Sequence, residues 1–295
     1  ELDGFSRELA ERKDIRLVIV DEASAYKDAS TKRHRLARLI IGKRDYLWML
    51  TGTPTPNAPT DAYGLAKLMN NAYGKSFSTF RAETMYNVGA FNGRPSFKWL
   101  PMKDGYEKAR QLLQPSIRFD IADVWDGPEM TTQQREIPLT AEQKKMMLEL
   151  KKDLTVLVKS GRPITATNEA AARQKFLQIS LGAIYDENHK AHVIDAHPRI
   201  EELKAVLDEA PAKVLVFAGF TSVLTNLKKE LKKYSCEVVN GTVSLRERQR
   251  IFQAFQEDDE PRILLADPGT MAHGLDLWRA QTVVWMGPTD KTELY

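Results

Sequence analysis

The stretch Ile15-Arg16-Leu17-Val18-Ile19-Val20-Asp21-Glu22 decides how the chain is read. Ile15 to Val20 is a short β-branched run, the pattern of a buried strand, and two carboxylates close it. Downstream, Thr31 to Ile41 places Leu36, Leu39 and Ile40 on one face, a basic amphipathic helix with Lys32, Arg33, Arg35 and Arg38 outside. A second strand, Tyr46-Leu47-Trp48-Met49-Leu50, runs into Thr51-Gly52-Thr53-Pro54, and a helix follows around Asp61 to Met69. Strand alternating with helix predicts a parallel α/β sheet. In such sheets ligands collect at the carboxyl ends of strands, where Asp21-Glu22 and Thr51 to Pro54 both stand.

The same alternation returns later. Val214 to Phe217 reads as a strand, Ser222 to Tyr234 as a helix and Cys236 to Val239 as a strand. Ser244-Leu245-Arg246-Glu247 is a capping box opening a helix to about Phe255. Arg262 to Ala266 and Thr282 to Met286 are further strands. Between the two α/β regions, residues 71 to 135 are irregular, with aromatics among Gly and Asn and a helical stretch at Asp104 to Leu113. Thr140-Ala141-Glu142-Gln143 opens a second capping-box helix, expected to reach about Lys159, and another helix is expected over Asn168 to Leu181. The expected division is 1–130, the C-terminal part of a first lobe with an insertion, and 131–295, a second lobe with a helical insertion at about 140–195.

At 295 residues the chain has room for two domains of roughly 150 residues each. Hydrophobic residues at 42% and charged residues at 28% match a soluble globular protein. No apolar run reaches the ~20 residues a membrane span needs, so no membrane partner is expected. Cys236 is the single cysteine, which excludes an internal disulfide. A net charge of +3 permits nucleic-acid binding without arguing for it; local clusters must do that.

A carboxylate at the end of a parallel strand can hold Mg²⁺, usually through water, and its neighbour can polarise an attacking water. The plain alternative for Asp21-Glu22 is a solvated acidic turn. Thr51 to Pro54 likewise reads either as a Gly/Pro turn or as hydroxyls that link the carboxylates to a neighbouring lobe. The combination, a strand ending in Asp-Glu-Ala and, about 30 residues on, a strand ending in Thr-Gly-Thr-Pro, is specific.

Val20-Asp21-Glu22-Ala23-Ser24 with Lys27, then Leu50 through Asn57, resembles motifs II and III of superfamily-two helicase-like ATPases of the Swi/Snf type. The resemblance continues through Pro138-Leu139-Thr140 with Gln143, Val214 to Phe217 (motif IV), Asn240 to Ser244 with Arg248 and Phe255, and Ile263 to Leu277 (motif V). It implies two RecA-like parallel-sheet lobes, the first incomplete, forming part of an ATP-dependent motor on double-stranded DNA. Under it, Asp21 would bind the Mg²⁺ of Mg-ATP through water and Glu22 would orient the hydrolytic water. Thr51, Gly52 and Thr53 would couple nucleotide state to lobe closure. Gly274 and Asp276 would lie at the lobe cleft, Asp276 accepting from a ribose hydroxyl. Loops at Thr221-Ser222, Gly241-Thr242 with Arg248, and Thr270 would meet the DNA phosphate backbone, since small hydroxyls and helix-start amides suit anions. Other protein subunits are possible partners, and the implied location is cytoplasmic or nucleoid-associated in a prokaryote or virus and nuclear in a eukaryote.

Three positions depart from the family pattern: Ser24 where His is frequent, Asp276 where Asn is commoner, and Met271-Ala272-His273 in place of a glycine-rich stretch. No G-x-x-x-x-G-K-[ST] occurs, and no arginine-rich motif VI follows Met286-Gly287-Pro288. The expectation is therefore a piece of a longer ATPase, inactive by itself. The alternatives are a strand-separating DNA or RNA helicase and a degenerate module that binds nucleic acid without hydrolysis. His189, His192 and His197 with Asp186, Glu187 and Asp195 read as a solvated linker in preference to a metal site. Lys228, Lys229, Lys232 and Lys233 read as the wet face of a helix, and Trp278 and Trp285 as core packing in preference to base stacking.

Overall fold

The computed structural model describes residues 2–42, 44–70, 73–91, 94–95, 98–124, 126–127, 130–153, 155–157, 163–166, 169–271 and 277–288. The chain divides into two compact units, Glu1–Glu129 and Met130–Tyr295. Both are α/β with parallel pairing at their centre, as the alternation of strand and helix anticipates. No helix among the described residues is long and apolar enough to cross a membrane.

In the first unit, α1 (Leu2–Glu11) leads into β1 (Leu17–Val20), followed by α2 (Lys32–Ile41) and β2 (Tyr46–Met49). The strands pair in parallel with Leu17 opposite Tyr46 and Val20 opposite Met49. Their period-2 alternation sends Val18, Val20, Leu47 and Met49 into a core with Ile41, Ala62, Tyr63 and Leu65. Thr31 caps α2, its Oγ1 accepting the His34 amide at 3.2 Å. Helices α3 (Ala62–Met69) and α4 (Phe77–Thr84) follow. Residues 71 to 135 hold more order than their composition suggests. Strand β3 (Met85–Asn87) pairs antiparallel with β6 (Trp99–Pro101), enclosing β4 (Ala90–Phe91) and β5 (Arg94–Pro95), and α5 (Gly105–Leu112) and α6 (Ile121–Val124) complete the unit.

In the second unit, the Thr140 capping box forms in full. Thr140 Oγ1 accepts the Gln143 amide at 3.2 Å, and Gln143 Oε1 accepts the Thr140 amide at 2.9 Å. Helix α7 (Ala141–Asp153) nevertheless stops short of Lys159. Thr155 to Leu157 is β-branched at two of three positions and becomes β7, pairing antiparallel with β8 (Pro163–Thr165). Then come α8 (Glu169–Ser180), β9 (Ala183–Tyr185) and β10 (Ala191–Val193). The expected linker around the histidines is this β9–β10 hairpin together with α9 (His197–Glu209). His192 Nε2 lies 3.0 Å from Asp186 Oδ2, and no group of three or more metal-ligating side chains occurs among the described residues.

The sheet of the second unit has the order β12-β13-β11-β14, all parallel, from β11 (Lys213–Phe217), β12 (Cys236–Val239), β13 (Ile263–Ala266) and β14 (Ala280–Trp285). Helix α10 (Thr221–Glu230) connects β11 to β12, and α11 (Leu245–Glu257) connects β12 to β13. Val214, Val216, Ile263 and Leu265 face Leu203 and Leu207 of α9 and Leu224 and Leu227 of α10. Leu215, Val239 and Leu264 face Ile251 and Phe255 of α11. Helices thus cover both faces, as a parallel sheet requires. Trp285 packs on Phe217 with ring centroids 4.6 Å apart, whereas Trp278 is 72% exposed and is no part of the core.

Candidate nucleotide and nucleic-acid sites

The parallel pairing of β1 and β2 ends both strands at the same edge. The Leu50 amide donates to Val20 O, and the Ala23 amide donates back to Leu50 O, each at 2.9 Å. This stitch sets Asp21-Glu22 beside Thr51-Gly52-Thr53. Asp21 and Glu22 are both exposed. Asp21 Oδ1 accepts the Glu22 amide at 2.9 Å, which fixes the carboxylate against its own turn. Glu22 sits at φ 49°, ψ 49°, the left-handed region that a non-glycine residue enters at a cost of roughly 1–2 kcal/mol. Such strain persists where surrounding structure over-determines it, and it concentrates at functional sites. Thr51 Oγ1 accepts the Thr53 amide at 3.3 Å, and Gly52 stands in open space.

Two residues that the sequence reading passed over hold this edge. Gly64 of α3 lies against the turn after Glu22: a Cβ there would stand 2.2 Å from Lys27 O and 2.4 Å from Tyr26 O. His34 of α2 is buried, with Nε2 2.9 Å from Gly64 O. The signal for Gly64 was available, since a glycine inside a helical pattern costs about 1 kcal/mol and asks for a packing reason. His34 gave none, since it stands among arginines that face water. Asp61 fixes the loop after Thr53, its Oδ2 accepting the amides of Asn57 at 2.8 Å and Ala58 at 3.4 Å.

In the second unit, the loops after β11, β12 and β13 lie side by side at the carboxyl edge of the sheet. The Ala218 amide donates to Ala266 O at 3.1 Å, and the Asp267 amide to Val239 O at 2.9 Å. This places Thr221-Ser222, Gly241-Thr242 and Thr270 along one edge. Their polar groups are largely engaged within the protein. The Ser222 amide donates to the Tyr185 hydroxyl at 3.0 Å, and the Ser222 Oγ is buried without a partner. Asn240 Oδ1 accepts both the amide (3.0 Å) and the hydroxyl (2.7 Å) of Thr242. Thr270 Oγ1 donates to Asp267 O at 2.8 Å. Arg248 reaches Asn240 O at 3.4 Å, and its Nε is buried without a partner. Gly274 and Asp276, with Ala272 and His273, lie outside the described residues. Arg199 donates to Met286 O at 2.7 Å and to Ser180 O at 3.1 Å, tying the end of β14 to α8, and burial lowers its pKa.

The SNF2-related domain matches residues 5–193, and the helicase conserved C-terminal domain matches residues 198–295. The chain belongs to the SNF2-related family. It is 22% identical over 279 residues to the human DNA annealing helicase and endonuclease ZRANB3, a match covering 92% of this chain and 25% of that protein. It is 23% identical over 289 residues to the Caenorhabditis elegans homolog of SWI/SNF-related matrix-associated actin-dependent regulator of chromatin subfamily A-like protein 1, covering 95% of this chain and 39% of that one. The matches cover between 10% and 56% of the length of these and other curated relatives. Among solved structures, the Sulfolobus solfataricus SWI2/SNF2 ATPase core in complex with dsDNA aligns at 18% identity over 95% of this chain and 60% of that chain, with a TM-score of 0.39.

Proposed function

We propose that this SNF2-related chain is part of an ATP-driven translocase on double-stranded DNA, with Asp21 and Glu22 at its hydrolytic centre. The supporting observation is the β1–β2 stitch, which sets a strained Glu22 beside Thr51 and Thr53 at one strand edge. Asp21 suits Mg²⁺. It offers a hard carboxylate oxygen, and Oδ2 makes no hydrogen bond among the described residues. When bound, Mg²⁺ would neutralise charge on ATP phosphates. Glu22 would orient the attacking water, while Thr51, Gly52 and Thr53 would carry nucleotide state to the second unit. Gly274 and Asp276 would complete the nucleotide cleft from that unit. Thr221, Ser222, Gly241, Thr242, Arg248 and Thr270 would follow the DNA backbone, with contacts that position without reading sequence.

The test is phosphate release by the whole protein, with duplex DNA, with RNA and with neither. Stimulation by duplex DNA supports the translocase. Stimulation by RNA alone replaces it with a helicase on RNA, and no turnover at all leaves a module that only binds. Glu22→Gln keeps the shape and removes the charge, and it should cost on the order of 10³ or more in turnover with DNA binding retained.

A further inference from the structure

The nucleic-acid reading above leaves a cationic stretch of the first unit, on α4 and the strands after it, without a role. Between Lys75 and Lys103 the sequence carries Lys75, Arg81, Arg94, Lys98 and Lys103 against a single acid, Glu83. Glu83 is already engaged by Lys75 at 2.8 Å. Arg81 projects from α4 toward the β3–β6 hairpin. Its guanidinium carbon lies 4.3 Å from the ring centroid of Trp99 on β6 and 5.6 Å from that of Phe77, one helical turn earlier. Its Nε is buried without a hydrogen-bond partner, and Arg81 makes no ion pair among the described residues. Stacking on two aromatic rings orients the weakly hydrated guanidinium plane without satisfying its N–H groups. A fork held in this way suits an anion with two oxygens, and phosphate takes such a fork bidentately. Phe77, beside it, is exposed aromatic surface of the kind that stacks on nucleotides.

We propose that Arg81, set between Phe77 and Trp99, receives a phosphate of the nucleic-acid backbone, and that α4 and β6 carry a nucleic-acid-contacting surface of the first unit. This inference rests on the nucleic-acid reading, so the experiment separates the two. Fluorescence anisotropy of the 295-residue chain is followed with labelled duplex and labelled single-stranded DNA across a salt series, for the wild type, Arg81→Gln, Arg81→Lys and Phe77→Leu, which removes one of the stacking rings. Arg81→Gln is expected to weaken binding about three- to tenfold at low salt and to reduce the salt slope by about one. Arg81→Lys keeps the charge and should restore the slope. The strand type that loses more identifies which backbone lies at Arg81. If the wild type binds neither strand type, the nucleic-acid reading falls and this inference with it. If the wild type binds and Arg81→Gln matches it in affinity and slope, this inference alone is wrong. Should Arg81→Gln lose its native melting transition, Phe77→Leu decides: unchanged affinity overturns the proposal and weakened binding supports it.

Discussion

The two units solve the same folding problem to different depths. The second unit buries its parallel sheet on both faces, and Val214, Val216, Leu264 and Ile263 are fully buried. The first unit buries one face of β1–β2. On the other, the directly paired Leu17 and Tyr46 are 38% and 57% exposed, and Ile19 and Trp48 are 53% and 60% exposed. Parallel sheets are ordinarily covered on both sides, so the strands that carry Asp21 and Glu22 draw their stability from half of their surface. Where a site residue also sits in a strained conformation, as Glu22 does, that economy matters. The second unit holds its loops with a full core, and the first holds its turn with a few close contacts around Gly64.

The largest expected effect contrasts the two cores. Phe255 is fully buried, and its ring receives the ammonium of Lys213, itself donating to Asp258 O at 2.6 Å and Pro261 O at 3.0 Å. Phe255→Ala should destabilise the second unit by about 3–5 kcal/mol. Trp48→Ala, on the bare face, should stay within about 0.5 kcal/mol. Chemical denaturation of both variants checks this. A Trp48→Ala cost near that of Phe255→Ala would mean that the bare face is covered in solution.

The next test targets the turn itself. Gly64→Ala forces a methyl group against the carbonyls of Tyr26 and Lys27. Overpacking of this kind costs about 1–3 kcal/mol, and here it pushes on the turn that follows Glu22. Thermal melting should show the loss. In the whole protein, turnover should fall by more than the unfolded fraction accounts for. A melting temperature equal to the wild type would show that α3 is free to move away.

These contacts also mark where sequence was legible. The strands β1, β2, β11, β12 and β13 were readable because apolar β-branched runs bounded by turn residues have few other solutions. The common placing of Asp21-Glu22 and Thr51 to Thr53 followed from parallel strands, whose carboxyl ends share one edge of the sheet. Helix α7 was drawn too long because Leu154 to Lys159 carries no breaker, and a hairpin took Thr155 to Leu157 by tertiary pairing. The β9–β10 hairpin was hidden because His192 and Asp186 look solvated until they are seen half-buried against each other. Trp278 misled for the opposite reason, since a large apolar side chain is no guarantee of burial. The engaged amide at Ser222 lay beyond any spacing rule, since its acceptor Tyr185 is distant in sequence, whereas that of Thr242, taken by Asn240 two residues earlier, is a local Asx turn.

A smaller effect is expected at Glu22. Glycine enters the left-handed region without a Cβ clash, so Glu22→Gly should relieve up to about 1 kcal/mol of strain, less what glycine adds to unfolded-chain entropy. The same change should abolish the proposed turnover. A variant that is more stable and inactive would show strain stored at the site, and one that is less stable would show that Glu22's own contacts outweigh it.

The smallest expected effect is local and concerns pH. The Asp186 carboxyl is held below its ordinary range, first by the hydrogen bond from His192 and then by the amides of Lys190 and Asn188, with burial opposing. An ionised carboxylate only accepts, so His192 Nε2 carries the proton in this pair. A depressed folded value means that the unfolded chain binds more protons at acid pH. The hairpin's contribution is therefore complete above the ordinary carboxylate value of about 4 and is lost as pH falls through the lower, folded value. Amide hydrogen-exchange protection factors at Ile184 and His192, relative to the intrinsic rate at each pH, should stay high at pH 5 and fall below pH 4. Asp186→Asn should show low protection at both, while the β11–β13 amides stay protected throughout. Equal acid sensitivity in the variant and the wild type would show that a carboxylate other than Asp186 governs the hairpin.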